Sequence, residues 1–446
     1  MVNPGGGRGT VEACVVLGIA CLLALSGVRC DQLQHPPRRL GGEAVFDVTK
    51  FGAVADGSTD NAIAMIRAWK AACNSNGAAK LLIPRGEFAA GEVLFAGPCR
   101  AKKPITIEIQ GNLLAYEDPS AYTGGAWIML EKVDGALKGG GTINGRGKML
   151  WQYAETTDGP PLPVSFVFQT VQNAQMSNLH FVDSMGFHLK VTDSSNVGIR
   201  NIKVRAPGES PNTDGIHLSS AINVNITDSI IGTGDDCVSI GHGCYNVLVA
   251  RILCGPGHGL RYSTASICLV LKDGNASYYY FDYRSSSSSQ SCIFVFDASV
   301  GSLGKRPTET SLKGLTIINC TMVGTTNGAR IKTYHASPRI QATSIVFQDI
   351  VMERVKNPII IDQHYDSKRR REQSSVKLSD IHFRNIRGST ISKIPVKLNC
   401  SSAFPCQGVE LANINLTPVG RIGPLTSTCS NAKISIRGKL NPPGPV

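Results

Sequence analysis

Four related segments decide the fold of this chain: Asn173-Ala-Gln-Met-Ser-Asn-Leu-His-Phe181, Asn196-Val-Gly-Ile-Arg-Asn-Ile-Lys-Val204, Asn223-Val-Asn-Ile-Thr-Asp-Ser-Ile-Ile231 and Asn246-Val-Leu-Val-Ala-Arg-Ile-Leu-Cys254. Their first residues are 23, 27 and 23 positions apart. Each segment contains two short alternating strands across a polar bend, which places the Val, Ile and Leu side chains inside. No single segment can bury its apolar face, but stacked segments can. The repeat therefore predicts an all-β, right-handed parallel β-helix, with the recurring Asn residues hydrogen-bonded along the stack.

Weaker copies of the repeat extend the predicted stack towards the C-terminus. They begin near Gly314, Thr343, Ser379 and Gly408. The alternative is a β-sandwich with short strands, but sandwich strands recur every 8–12 residues, roughly half the period found here. We therefore expect a single β-helix domain over residues 43–446.

A helix is predicted before the repeats begin. Ala62, Met65, Ile66, Trp69 and Ala72 have helical spacing in the stretch from residue 60 to residue 74. At this position it would cap the N-terminal mouth of the stack, where open strand edges invite aggregation.

The N-terminus has the pattern of a secretory signal. Arg8 precedes an apolar run from Val15 to Leu25, and the small residues Ser26 and Gly27 follow. The run is too short to span a bilayer comfortably. We expect residues 1–30 to be a signal peptide, residues 31–42 to be a polar lead-in, and the product to be secreted without a membrane anchor.

Net charge and composition limit the classes of binding partner that we expect. The chain has 446 residues, of which 17% are charged and 47 are Gly, and its net charge is +12. A positive surface favours an acidic partner. The sequence lacks an RNA-binding signature and a dense basic helix, so we expect no nucleic acid; a polyanionic sugar is the better candidate.

Cysteine usage also fits secretion, because 14 cysteines in an exported chain favour disulfides. Near neighbours suggest Cys73–Cys99, Cys237–Cys254 and Cys400–Cys406, although sequence alone leaves the connectivity open. No Cys/His cluster suggests zinc. The Asn-X-Ser/Thr sequons at Asn225, Asn319, Asn399 and Asn415 are possible glycosylation acceptors.

Three strings carry the predicted chemistry: Asn212-Thr-Asp214, Gly234-Asp-Asp236 and Gly257-His-Gly259. The steps from Asp214 to Asp235 and from Asp235 to His258 are 21 and 23 residues, close to the repeat period. Residues one period apart lie one above the other, about 4.8 Å per rung. A lone Asp-Asp pair is usually a solvated turn, but this spacing predicts three carboxylates and an imidazole on one face. Such a group can perform acid and base catalysis without a metal or cofactor.

One segment does not belong to the repeat. The step from Asn246 to Gly314 is 68 residues, against 23 to about 36 elsewhere. The surplus has no repeat anchor and no strand alternation, and one interpretation is a functional lid. We favour another: residues 261–298 are translated intron. Arg261-Tyr262 can be encoded across a splice donor and Ala298-Ser299 across an acceptor, and excision reduces the step to 30 residues.

Four strings in order make the chain resemble the plant polygalacturonases of glycoside hydrolase family 28: Asn212-Thr-Asp-Gly215, Gly234-Asp-Asp-Cys237, Cys254-Gly-Pro-Gly-His-Gly259 and Arg330-Ile-Lys-Thr333. The resemblance covers residues 43–444 apart from the insertion. The C-terminal tail and Ala96-Gly-Pro-Cys99 are most similar to the pollen-type exo-acting branch. In the family the His string continues directly into Ser-Ile/Val-Gly-Ser-Leu-Gly, and here the insertion divides it.

The resemblance implies catalytic roles. Asp235 is the general acid, and Asp214 and Asp236 hold and deprotonate the water in an inverting reaction. His258 lies beside the acid and helps to orient it or to keep it protonated.

The resemblance also implies a set of substrate-binding residues, and Asn212 supports the site. Arg330 and Lys332, at alternate positions of one strand, bind the galacturonate carboxylate, and Tyr365 contacts the sugar. Many relatives carry a cysteine pair after this tyrosine, whereas a basic run (368–371) follows here.

We expect a monomeric, secreted cell-wall enzyme that cleaves the α-1,4 bonds of polygalacturonate, the de-esterified form of pectin, in exo fashion. A rhamnogalacturonan hydrolase is the alternative within pectic hydrolases. A catalytically impaired pectin-binding protein is the alternative from another class, because the insertion directly follows the His string. A pectate lyase is disfavoured, because it would need calcium ligands.

Overall fold

The computed structural model describes residues 38–40, 43–116, 118–153, 162–255, 266–272, 275–281, 297–335, 338–365 and 373–445. The helices are α1 (Ala62–Cys73) and the 3-10 turns Val48–Phe51, Pro119–Ala121, Gly147–Met149 and Trp151–Tyr153. None of the described helices has the length and apolar character needed to cross a membrane.

Strands account for most of the described chain. The first seventeen are β1 Arg38–Leu40, β2 Glu43–Asp47, β3 Ala78–Ile83, β4 Glu87–Ala90, β5 Val93–Ala96, β6 Lys102–Ile109, β7 Asn112–Ala115, β8 Ala126–Glu131, β9 Gly135–Gly139, β10 Thr142–Asn144, β11 Val164–Gln169, β12 Gln175–Ser177, β13 His180–Val182, β14 Leu189–Thr192, β15 Ser195–Arg200, β16 Lys203–Arg205 and β17 Ile216–Ser219. The others are β18 Ile222–Gly232, β19 Asp236–Ile240, β20 Tyr245–Cys254, β21 Ser266–Lys272, β22 Asn275–Phe281, β23 Asp297–Leu303, β24 Leu312–Ile318, β25 Thr321–Val323, β26 Asn327–Tyr334, β27 Gln341–Val355, β28 Asn357–Tyr365, β29 Lys377–Thr390, β30 Val396–Asn399, β31 Cys406–Pro418, β32 Ser427–Ser430 and β33 Ala432–Asn441.

These strands form a parallel β-helix, which confirms the predicted fold. One sheet stacks eleven strands in chain order, from β5, β8, β11, β14, β17 and β19 to β23, β26, β28, β30 and β32. Its core column shows the register, with Phe166 opposite Leu189, Leu189 opposite Ile216, and Ile216 opposite Val238. All four side chains are buried. Outward positions of this sheet, which alternate with the column, carry the candidate site.

The predicted asparagine ladder is also present. Asn196 Nδ2 donates to Asn173 Oδ1 over 3.0 Å, Asn223 Nδ2 to Asn196 Oδ1 over 3.0 Å, and Asn246 Nδ2 to Asn223 Oδ1 over 2.8 Å. All four residues have positive φ, between 52° and 57°. Asn tolerates this left-handed conformation and leaves its amide free to bond along the stack. The same corner continues through later residues that also have positive φ: Gly314, Ser344, Asp380 and Gly408.

Replacing Asn196 with Ala should lower the free energy of unfolding by about 1–3 kcal/mol, because it removes two ladder hydrogen bonds and puts a Cβ-bearing side chain without local hydrogen bonds at positive φ. Urea unfolding measures this change. Asn196→Gly is the matched control, since Gly accepts the backbone conformation and loses only the hydrogen bonds. Equal losses in the two variants would contradict a conformational role for this corner.

Helix α1 forms within the predicted stretch. Met65 and Trp69 are buried, and Trp69 Nε1 donates to the Ala96 carbonyl over 2.9 Å. The Trp69 ring lies 5.2 Å from that of Phe95. The helix packs on β2, β3 and β5, the beginning of the stack, as expected of a cap.

The three suggested disulfides, Cys73–Cys99, Cys237–Cys254 and Cys400–Cys406, are all formed. The second has a local consequence for the site. Cys237 directly follows Asp236 at the start of β19, and its partner ends β20. This crosslink therefore holds the corner from which Asp235 and Asp236 project.

The inserted segment contains two strands that are paired with each other. β21 and β22 run antiparallel, unlike the parallel strands of the stack. Their apolar and aromatic runs have strand propensity without the alternation of a half-buried rung. The parallel stack resumes only at β23, where Ser299 lies opposite Ser239.

Candidate active site

The carboxylate strings meet at the starts of two neighbouring strands. Asp214 lies two residues before β17, and Asp235 immediately precedes β19, which begins at Asp236. The backbone N–H of Gly215 donates to the Asp236 carbonyl over 2.8 Å, so the two strand starts are in direct register. The prediction that these acids lie on adjacent rungs is confirmed.

The turn before Asp235 depends on a close backbone approach. A Cβ added to Gly234 would lie 1.8 Å from the Ser210 carbonyl oxygen, so only glycine fits. The Gly234 N–H donates to Thr213 Oγ1 over 2.9 Å, and the Thr213 and Ser210 hydroxyls are 2.6 Å apart. Thr213 and Gly234 therefore fix the two acidic strings against each other.

Burial differs among the three acids. Asp214 and Asp236 are 5% and 3% exposed, whereas Asp235 is half-buried. Burial raises the pKa of Asp214 well above its ordinary value, and the charges of Asp235 and Asp236 raise it further. A hydrogen bond from Ser239 and the charge of Lys332 act in the opposite direction. The site thus retains a proton at a pH where isolated carboxyls are ionised.

The basic strand residues lie beside these acids. Lys332 Nζ is 3.6 Å from Asp236 Oδ2, and Lys332 is only 8% exposed. Burial favours the neutral amine, but the charge of Asp236, with smaller effects of Tyr365 and Asp235, raises the pKa of Lys332. Lys332 therefore remains an ammonium in the site.

The remaining predicted binding residues converge here. The Tyr365 ring centre lies 5.5 Å from Arg330 Cζ and 5.2 Å from Lys332 Nζ. A second ring, Tyr334, contacts Tyr365 edge-on at 5.2 Å. Asn212 is exposed at the turn before Asp214, with φ of 54°.

One cleft of about 450 Å³ gathers the predicted residues that the structure describes, namely Asn212, Asp214, Asp235, Asp236, Arg330, Lys332 and Tyr365. His258 lies outside the described residues, so its place and role stay predictions. Among the described residues, no group of His, Cys, Asp and Glu side chains has the arrangement of a metal site.

A sequence profile described as Glycosyl hydrolases family 28 matches residues 73–268 and 288–438, more than half of the chain. This chain belongs to glycosyl hydrolase family 28. The stretch between the two matched parts lies within residues 261–298, the segment that the repeat period marks as foreign. The break in the family profile, residues 269–287, thus falls inside the segment that separates β20 from β23 in the stack.

Similar proteins include plant members of the family. The exopolygalacturonase clone GBGE184 of Arabidopsis thaliana is 41% identical over 416 residues, which cover 90% of this chain and 88% of that protein. The exopolygalacturonase of Platanus acerifolia is 36% identical over 90% of this chain and 97% of that protein.

Among solved structures, the hyperthermoactive exopolygalacturonase of Thermotoga maritima matches with a TM-score of 0.65 and 16% identity, over 90% of this chain and 92% of that one. The polygalacturonase of Erwinia carotovora matches with a TM-score of 0.65 and 19% identity, over 90% and 100%. At these identities the likeness concerns the fold.

Sequence reasoning missed a hydrogen-bonded chain behind Asp214 in this family 28 hydrolase. Ser239 Oγ donates to Asp214 Oδ2 over 2.5 Å, and His217 Nδ1 lies 2.8 Å from Ser239 Oγ. Since the serine proton goes to Asp214, His217 must donate through Nδ1–H. Burial, and then the charges of Lys190, His242 and Lys332, lower the pKa of His217 to about 3. His217 is therefore a neutral donor in mildly acidic solution.

The cleft also contains polar and aromatic residues that carried no motif: Phe187, Lys190, His242, Lys305, Arg306 and Tyr334. His242 lies in a bend only six residues after Asp236, too close to be one rung away from it. The bend turns at the edge of the cleft. The repeat period could have pointed to Lys190, because this residue lies directly opposite His217 on the neighbouring rung.

Proposed function

We propose that this family 28 hydrolase is an exo-acting polygalacturonase, which releases galacturonate from polygalacturonate chains. The observation that carries the proposal is the convergence of three carboxylates with Arg330 and Lys332 in one cleft. The acids supply hydrolytic chemistry, and the cations suit a sugar that bears a carboxylate. The exopolygalacturonase relatives support the substrate and the mode of attack.

We assign the catalytic roles of the three acids from their exposure to the cleft. Asp235, the least buried of the three, is open to the glycosidic oxygen and donates its proton there. Asp214 and Asp236 orient the water, and one of them takes its proton as the water attacks the anomeric carbon. The bond to the leaving sugar breaks with inversion. The charges of Asp235 and Asp236 raise the pKa of Asp214, so the three carboxyls influence one another's protonation, as an acid and base pair in one cluster requires.

Timed product sizing tests this proposal. Polygalacturonate should give monomeric galacturonate from the first time point, and rhamnogalacturonan should be cleaved far more slowly. A ladder of oligomers would point to endo-action, and unsaturated products absorbing in the ultraviolet would point to a lyase. Both the full chain and the form that lacks residues 261–298 belong in the assay.

A second candidate, a pectin-binding protein impaired in catalysis, is favoured by one observation. The predicted His258 and the rung that resumes at Ser299 are separated by 41 positions, most of them in the inserted segment. Polymer binding by the full chain without product from either form would establish this candidate.

We also propose secretion to the cell wall and a monomeric state. The predicted signal peptide and the three disulfides support secretion. Localisation of a tagged chain and its sedimentation mass test the two statements.

Ser239→Ala should reduce kcat/KM on the acid side of the optimum about tenfold, roughly the value of one hydrogen bond to a charged group. The Ser239 hydrogen bond lowers the pKa of Asp214, so its loss raises that pKa. Asp214 must be ionised to act as a base, and the acid limb of the pH profile should therefore move to higher pH. The profile is measured in the form that turns over the polymer. Ser239→Thr keeps a hydroxyl and should stay near wild type, whereas matching profiles for Ala and wild type would contradict the role.

A further inference from the structure

We propose that Lys190, which lies on the opposite side of the catalytic acids from Arg330 and Lys332, and Arg306, which lines the same cleft, form a second carboxylate-binding site. Its ligand is another uronate residue of the same polysaccharide chain. The inference rests on the proposed function, because it assigns a further sugar of the proposed substrate to these residues.

Strand register places Lys190 and Arg330 on either side of the acids. Lys190 lies opposite His217, and His217 lies opposite Ser239. In the other direction Ser239 lies opposite Ser299, and Ser299 opposite Arg330. Each step is one rung of about 4.8 Å. Lys190 and Arg330 are thus each two rungs, roughly 10 Å, from the strand that begins at Asp236.

Arg306 lines the cleft from a loop whose backbone is fixed by a buried carboxylate of the same loop. Glu309 is 9% exposed, and its carboxylate accepts two backbone N–H bonds, from Gly304 over 2.6 Å and from Arg306 over 3.0 Å. This carboxylate fixes the backbone that carries the arginine. The neighbouring Lys305 contacts a different residue, Tyr334: its Nζ lies 5.8 Å from the centre of that ring.

Lys190 is a half-buried cation in unfavourable surroundings. Burial lowers the pKa of Lys190, and the charge of Arg306 lowers it further, with only Asp193 acting in the opposite direction. Within the described part of the chain, no carboxylate forms an ion pair with Lys190 or Arg306. A carboxylate bound between the two cations would relieve their repulsion and supply the missing counter-charge.

The surface between this basic pair and the acids suits a sugar ring. Phe187 and His217 line the cleft there, with ring centres 4.9 Å apart. Aromatic faces offer apolar area to the C–H face of a sugar, while polar groups at the edge fix its orientation. Alternating ring contact and cationic contact fits a uronate polymer better than a free inorganic anion.

Equilibrium binding to the full chain that carries Asp235→Asn tests the site, because this variant should bind trigalacturonate without cleaving it. Calorimetry with trigalacturonate at low salt should show that Lys190→Met and Arg306→Gln each raise Kd about tenfold, the value of one charge-assisted hydrogen bond. The effect should shrink at high salt. Lys190→Arg keeps the charge and should bind within about threefold of wild type. Lys203→Met, an exposed lysine of the other large sheet, is the matched control and should change nothing.

Several outcomes would overturn the inference. One is wild-type affinity in both Lys190→Met and Arg306→Gln while Arg330→Gln binds weakly. Another is an equal loss of affinity for dextran sulfate, which would reduce the pair to general attraction of anions. Thermal midpoints are measured in parallel, and Lys190→Gln or Arg306→Met replaces a charge-removing variant that fails to fold. Failure of wild type to bind or cleave any uronate polymer would instead overturn the proposed function.

Discussion

Removal of residues 261–298 should raise kcat on polygalacturonate by about 10²-fold or more over the full chain, the lower bound for restoring a group that assists proton transfer. The reason is the register in which β23 pairs with β19. Asp236 lies opposite Asp297, and Ser239 lies opposite Ser299. Joining Leu260 directly to Ser299 puts Gly259 at the position of Asp297.

The residue before that glycine is His258, which then falls opposite Asp235 on the next rung. The link from the histidine to the rung at Ser299 shortens from 41 positions to three. A short link on a paired strand restricts the imidazole to the neighbourhood of the predicted acid. Precise placement of such groups contributes strongly to rate.

Both forms are assayed for reducing-end release under identical conditions. His258→Ala in the shortened form should lose most of the gain, which separates an effect of the imidazole from relief of a blocked cleft. Equal turnover by the two forms would refute the functional consequence of the insertion. An abundant mature transcript that carries the 114 nucleotides of these 38 codons in frame would count against an intron origin.

The fold was predictable because its determinants recur locally. The left-handed corner requires Asn, Gly or a residue that tolerates positive φ once per turn, and Asn196 and Asn223 meet that requirement in the sequence itself. The same period places Asp214 and Asp235 on adjacent rungs. Alternation then determines which neighbours of these residues point outward.

Other residues of the site escaped prediction because no motif marks them. Ser239 lies 25 positions after Asp214 and 22 after His217, close to the repeat period, but the sequence does not show which side chains at that spacing bond to one another. Arg306 enters from a loop between rungs, where no period applies. Its place in the cleft lining depends on the buried carboxylate of Glu309, which looks in the sequence like an ordinary loop acid.

Asp235→Asn in the shortened form should reduce kcat on polygalacturonate by about 10²- to 10⁴-fold, the usual contribution of a general acid. Asparagine has a similar shape but cannot release a proton to the glycosidic oxygen, so trigalacturonate affinity should remain within about threefold of wild type. Asp228→Asn is a matched control, because Asp228 lies on the exposed surface, where Arg251 pairs with it at 2.6 Å.

An activated leaving group separates the role of Asp235 from that of Asp214. A p-nitrophenyl galacturonide needs little protonation as it departs, so Asp235→Asn should lose much less on this substrate than on the polymer. Asp214→Asn should lose equally on both, because water must still be activated. The charge of Asp235 raises the pKa of Asp214. Its removal should therefore also shift the acid limb of the remaining activity to lower pH, and equal losses on the two substrates would show that Asp235 is not the acid.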